Sequence, residues 1–311
     1  MAKIFTIFGA TGAQGGSIAR FILDHPVLSK TYSVRAVTRD ASKPAAIVLR
    51  ERGVELVEAD LDNVASVQTA VAGSYGVFAV TDFWVKAIGE VEVTQGKAVA
   101  DAAVAAGASL LIWSSLPNAT RISHGELSKS HFNFKAEVEE YIRTLPIMSS
   151  FYIPGYYMQN MRHSLAKWTK QEDGSQLIQK PWTSTTRIPL VDIRDTGKYL
   201  APILLNPEKY DGKRFISATG FYTPNQVIDI MMEVTGEKLS WIQLSLKDFA
   251  SSLPAHFRDE LTESARMLCE YDYYGPTGEK DLQWTLNQMD GTPTSFEKCL
   301  VEQGPWFEAK G

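Results

Sequence analysis

The run Gly9-Ala10-Thr11-Gly12-Ala13-Gln14-Gly15 lies between the apolar, β-branched stretch Ile4 to Phe8 and a helical pattern over Gly16 to Asp24. Glycines at three-residue spacing between a strand and a helix give a tight turn and a backbone without Cβ obstruction. They also leave a helix N-terminus whose free N–H groups and dipole favour an anion. Glycines also serve simply to pack a helix on a strand, but this is the first strand-to-helix turn, which makes dinucleotide binding the leading reading. The spacing, GxxGxxG, departs from the GxGxxG of the standard dehydrogenase fingerprint.

The same alternation recurs along the chain. Tyr32 to Thr38, Val54 to Glu58, Gly76 to Val80, Ser109 to Trp113 and Met148 to Ile153 read as strands, separated by helical stretches such as Val91 to Ala106. That order predicts an α/β fold with a Rossmann-type doubly wound parallel sheet. At 311 residues the chain exceeds the usual single-domain length. Residues 1–154 read as the nucleotide-binding domain, with a return strand near 191–220 for which Arg214 to Ser217 is the candidate. Residues 155–311 read mostly as a smaller, mainly helical lobe over the strand ends, with Asn225 to Val234 and Arg258 to Cys269 as amphipathic helices.

Composition excludes more than it selects. With 31 Lys and Arg against 36 Asp and Glu, the formal charge of -5 offers no sequence-wide attraction for nucleic acid or an anionic membrane. Cys269 and Cys299 have no CxxC spacing and read as buried thiols in a reducing compartment. Met1 leads straight into an apolar stretch too short to cross a bilayer, so no signal peptide and a cytoplasmic or nuclear home are expected. His25, His124, His131, His163 and His256 make no HExxH spacing, so no metal is expected, and there is no GxSxG nucleophile elbow.

Where NAD-binding chains carry an acid for the ribose hydroxyl, the end of the second strand has Thr38-Arg39, with Asp40 next and Lys43 soon after. A guanidinium binds a 2′-phosphate bidentately, so Arg39 and Lys43 favour NADP(H) over NAD. Asp60 and Leu61 follow the third strand, near the expected adenine, although Asp60 reads equally well as a helix cap. Thr81, Asp82, Phe83 and Trp84 end the fourth strand at the ligand edge of the sheet.

The runs GATGAQGGS (Gly9 to Ser17), VTR (Val37 to Arg39) and TDFW (Thr81 to Trp84) resemble those of the NmrA-like family. So do WSSLPN (Trp113 to Asn118), His131 to Lys135 with Glu137 to Tyr141, and PGYYMQN (Pro154 to Asn160). The resemblance spans nearly the whole chain. The family is an atypical branch of the short-chain dehydrogenase/reductases whose best-known members are NADP-binding regulators, among them a fungal nitrogen-metabolite repressor and a mammalian NADPH sensor. It implies a cofactor cleft lined by Gly12, Ala13, Gln14, Arg39, Lys43, Asp60, Thr81 and Lys135, to which position in the fold adds Gly9, Thr11, Gly15, Leu61, Asp82 and Phe83. Pro154, Tyr156, Tyr157, Met158 and Asn160 would complete it, with the residues from Tyr156 to Asn160 beside the nicotinamide. Thr94 stands where sensor-like members carry Lys.

In active short-chain reductases a Tyr four residues before a Lys protonates the carbonyl. Here His131 replaces that Tyr, while Lys135 and a strand-end serine, Ser114 or Ser115, are retained. His131 reads as a packed residue or a replacement acid, and Lys135 as a ribose ligand or itself an acid/base. Tyr141 is out of register and reads as core, whereas Tyr156 and Tyr157 either pack or donate a proton. Two functions follow. The missing Tyr favours an NADP(H)-dependent redox-sensing regulator with a protein partner, and the retained Ser114 and Lys135 favour an NADPH-dependent reductase of a small carbonyl, imine or activated alkene.

Overall fold

The computed structural model describes residues 2–128, 130–162 and 166–307, so His163 lies outside the described residues. Its first strands are β1 (Lys3–Ile7), β2 (Tyr32–Thr38), β3 (Glu55–Glu58), β4 (Gly76–Ala79), β5 (Leu110–Ser114) and β6 (Met148–Pro154). Then come β7 (Tyr156–Tyr157), β8 (Thr169–Lys170), β9 (Gln176–Lys180), β10 (Ile188–Val191), β11 (Arg214–Ser217), β12 (Gly220–Tyr222) and β13 (Leu239–Gln243). The main sheet runs β11-β6-β5-β4-β1-β2-β3 with all neighbours parallel. Chain order reverses between β1 and β4, which opens a crevice at their carboxyl ends, the usual ligand position in such sheets.

The early helices are α1 (Ala13–Asp24), α2 (Leu28–Thr31), α3 (Pro44–Glu51), α4 (Val64–Val71), α5 (Gly89–Ala105), α6 (Ala119–Ile122) and α7 (His131–Ile142). Both faces of the sheet are covered, which is why its central strands, such as β4 and β5, read as apolar runs. In β5, Leu110 and Ile112 join the core beneath α1, while Leu111 and Trp113 join the core beneath α4, α5 and α7. The helix Thr196–Leu205 packs on α1 at Gly197, where a Cβ would lie 2.3 Å from that of Phe21.

The expected return strand is β11, and the expected helices are Pro224–Thr235 and Arg258–Glu270. Helix Pro224–Thr235 begins with a capping box between Thr223 and Gln226 and ends at Gly236, in the left-handed region at φ 70°. The carboxy-terminal region is less purely helical than expected. It holds two three-stranded sheets, β12-β10-β7 and β13-β9-β8, and β13 falls inside the stretch read as mainly helical. Five-residue strands with mixed polarity, such as Gln176–Lys180 and Leu239–Gln243, are too short to show a period.

The lobe is fastened to the sheet by phenols: Tyr273 donates to the Pro154 carbonyl and Tyr274 to that of Ser217, both at 3.0 Å. Cys299 is buried and Cys269 partly so, and burial pushes their thiols up to about 12 and about 11, so neither is a ready thiolate. Among the described residues no helix is long and apolar enough to cross a membrane.

Candidate functional site

The glycine turn sits at the reversal point. Gly9 has φ 66°, a conformation that favours glycine. A Cβ on Gly15 would fall 2.4 Å from the Gly9 carbonyl oxygen, and one on Gly12 would fall 3.2 Å from it. Gly12 caps α1 without a side-chain hydrogen bond, and no acid stands in the first turn. The bare backbone and open N-terminus therefore form a cradle that side chains would fill, and it fits a pyrophosphate. Gly12 and Ala13 are exposed there, and Thr11 and Gln14 half-buried.

Beside the turn, Arg39 and Lys43 are exposed, and among the described residues neither side chain makes an ion pair or hydrogen bond. The Asp62 carboxyl is held below its ordinary range by hydrogen bonds from Lys86 and Gln95 and, more weakly, by the charge of Arg39. Asp60 caps no helix: its carboxylate accepts the Asp62 N–H at 2.9 Å, and the cap of α4 is Asn63. Leu61 is half-buried against the core.

At the other end of the crevice the candidates are already partnered. Lys135 Nζ lies 2.8 Å from Glu92 Oε1 and donates to both the carbonyl and the hydroxyl oxygen of Thr81 at 2.9 Å. An ammonium has three donors, and all three are engaged. Lys135 is thus paired within the fold at the position where a ribose ligand or an acid/base was expected. Glu92 is buried, and its second oxygen has no hydrogen-bond partner among the described residues. The Thr81 hydroxyl itself donates to Glu92 at 2.7 Å, and Asp82 accepts the Trp84 N–H at 3.2 Å, so both serve local structure.

His131 is likewise held in place. Its Nδ1 faces the Glu260 carboxylate, which also accepts its backbone N–H at 2.8 Å, so a residue of the second lobe caps α7. Phe83, Trp84 and Phe132 surround the imidazole, with ring centroids 5.6, 5.3 and 4.8 Å away. His131 thus packs among three aromatic rings with its Nδ1 against a carboxylate. Thr94 points outward and donates to the Glu90 carbonyl at 2.7 Å. Tyr141 is half-buried rather than core, and its hydroxyl donates to Asp101 at 2.5 Å.

A different polar chain crosses the crevice. Ser114 Oγ donates to Gln14 Oε1 at 2.8 Å, and Gln14 Nε2 donates to the Tyr157 hydroxyl at 2.6 Å. Ser115, the other candidate serine, turns away to the Lys135 carbonyl at 3.4 Å. Gly155 lets the chain pass, since its Cβ would lie 2.4 Å from the Pro189 oxygen and 2.7 Å from that of Ser217, and it delivers Tyr156 and Tyr157 into β7. Burial pushes Tyr157 well above 10 and Tyr156 up to about 12.

Not all of the run from Pro154 to Asn160 reaches the crevice. Met158 is fully buried in the apolar core, which corrects its expected cofactor contact. Pro154 is buried, Gln159 is tied to Asp192 at 2.9 Å, and Asn160 is half-buried. Glu92 and Glu260 escaped the sequence reading. Glu92 had one signal: with Gly96, Val99 and Ala103 it lies on the buried stripe of α5, where a carboxylate requires a partner.

The sequence profile of the NmrA-like family matches residues 1–299. An NmrA-like family domain-containing oxidoreductase of Malbranchea aurantiaca is 29% identical over 256 residues, 78% of this chain and 76% of that one. Among solved structures, the negative transcriptional regulator NmrA in complex with NADP superposes with a TM-score of 0.80 at 22% identity, covering 97% of this chain and 95% of that one. The Citrobacter triphenylmethane reductase complexed with NADP(H) gives 0.76 at 20% identity, covering 96% and 99%. With the turn, the sheet order and a match over nearly its whole length, the chain belongs to the NmrA-like family.

Proposed function

We propose that this chain binds NADP(H) and works as an oxidoreductase on a small carbonyl, imine or activated alkene. The observation that carries the reading is the line Ser114–Gln14–Tyr157 across the crevice beside the glycine cradle. The oxidoreductase name of the Malbranchea relative and the NADP-bound neighbours support it. Gly9, Gly12 and Gly15 would receive the pyrophosphate, and Arg39 with Lys43 the 2′-phosphate. When bound, the nicotinamide supplies hydride.

Tyr157 is the proton source in this reading. With the amide of Gln14 oriented as it stands, the phenol accepts its N–H and keeps its own O–H for an acceptor in the crevice. Raised well above 10, the phenol stays protonated through neutral and mildly alkaline solution. As it gives up the proton, the Gln14 N–H steadies the phenolate, and the Ser114 hydroxyl fixes the amide. Carbon gains hydride, the carbonyl oxygen gains the phenolic proton, and solvent returns one to Tyr157.

The test is NADPH oxidation against a panel of carbonyls, imines and activated alkenes. Tyr157→Phe should keep NADPH affinity and lose about 100-fold or more in turnover of a carbonyl. Absence of turnover across the panel, or full activity in the variant, contradicts the reading.

A redox-sensing regulator is the second reading, favoured by the aromatic segment after β4. Phe83 and Trp84 touch His131, which Glu260 binds to the second lobe, while Trp84, Val85 and Ile88 are exposed. Cofactor state at Thr81 would then alter a surface met by a protein partner. Equal partner affinity with NADP+, NADPH and no cofactor would exclude this switch.

A further inference from the structure

We infer that Arg20 is a third cation of the 2′-phosphate subsite, reading NADP(H) from α1 while Arg39 and Lys43 read it from the end of β2 and the start of α3. The inference rests on the cofactor reading above and adds to it a residue that no motif marks.

Arg20 lies about two turns into α1, too far for a side chain directed along the helix to meet the glycine turn. Its guanidinium instead folds back. A Cβ on Gly16 would lie 3.2 Å from Arg20 Nη1 and 3.7 Å from Nη2, so the guanidinium rests over the bare backbone of Gly16, one turn nearer the cradle. Gly16 in turn abuts the cradle, for its Cβ would be 3.1 Å from the Ala10 carbonyl oxygen. A larger residue at position 16 would take the place the guanidinium occupies.

There Arg20 lines a pocket of about 140 Å³ between α1 and α3, together with Thr11 of the turn and Ala45, two residues beyond Lys43. Arg52, on the same wall, is already paired with Asp24 at 2.5 Å. Among the described residues Arg20 has no carboxylate and no hydrogen-bond acceptor, and the Thr11 hydroxyl has no partner either. The charge of Arg39 acts weakly on Asp62, whose carboxylate is itself held by Lys86 and Gln95. Of the two arginines lining this pocket, Arg20 is the one left unpaired among the described residues. A phosphate monoester carries close to two negative charges and three acceptor oxygens, more than one guanidinium satisfies, and a planar fork beside a hydroxyl donor suits it.

Calorimetric titration of the wild type, Arg20→Ala and Arg20→Lys with 2′,5′-ADP, 5′-AMP, NADPH and NADH tests the assignment without any turnover. Arg20→Ala should weaken 2′,5′-ADP and NADPH roughly tenfold. AMP and NADH should change by less than about twofold, and Arg20→Lys should recover only part of the loss, because it keeps the charge without the fork. Equal weakening of both ligand classes, or no weakening, overturns the inference. If Arg39→Ala abolishes the preference for 2′,5′-ADP while Arg20→Ala leaves it whole, the NADP(H) reading stands and the role of Arg20 falls. If the wild type itself does not prefer 2′,5′-ADP to AMP, the cofactor reading fails and this inference with it.

Discussion

At the edge formed by β1, β2 and α3, Arg20, Arg39 and Lys43 stand exposed and, among the described residues, without a salt bridge, whereas at the end of β4 Lys135 and His131 are set against Glu92 and Glu260. An exposed cation costs the fold little and is available to a ligand. A buried one must be paired, and breaking its pair leaves an uncompensated charge. Residues of similar type, separated by the width of one crevice, therefore do different work. The spacing of Lys135 from position 131 matches the short-chain reductases, but the surroundings set each side chain against a buried carboxylate. Proton transfer passes in our reading to Tyr157, which is outside that motif.

The largest expected effect lies at the buried pair. Lys135→Met should cost about 3–5 kcal/mol in urea unfolding by leaving the buried Glu92 without its counter-charge. Combining it with Glu92→Gln should restore most of that stability through a strong coupling in the double-mutant cycle. A loss under about 1 kcal/mol would show that Lys135 is not structural, and loss of turnover in the single variant would be unreadable without the stability measurement. Next comes Glu260→Ala, which strips the cap from α7 and the partner from His131 and should cost about 1–3 kcal/mol. An unchanged unfolding midpoint would return His131 to the list of candidate acids. The smallest effect is at Asp62: Asp62→Asn removes a competitor for Arg39 and should tighten NADPH by less than about threefold, an effect that fades as salt is raised.

Much of the fold was legible because the sheet is covered on both faces. The central strands β1, β4 and β5 then appear as largely apolar runs, and even the late β11 was readable at Arg214 to Ser217. The two small sheets were not, since β7 and β8 are two-residue strands and β9 and β13 owe their place to pairing rather than to pattern. At the site, the glycines and Arg39 were readable because local geometry and charge decide them. The partners of Lys135 and His131 come from distant chain positions, Glu92 and Glu260, and a carboxylate's burial is set by tertiary packing. Met158 looked like its neighbours Tyr156 and Tyr157, but it follows them into a 3-10 turn that points it into the core.

The central claim is that the exposed cations at the glycine edge are kept for a 2′-phosphate. Titrating the cofactor-stripped protein with NADPH, NADP+, NADH and NAD+ in a calorimeter, for wild type and Arg39→Ala, tests it most directly. The account predicts clear preference for the two phosphorylated cofactors and loss of about tenfold or more of that preference in the variant, with NADH and NAD+ little changed. Equal binding of all four by the wild type, or a preference untouched by Arg39→Ala, would contradict it.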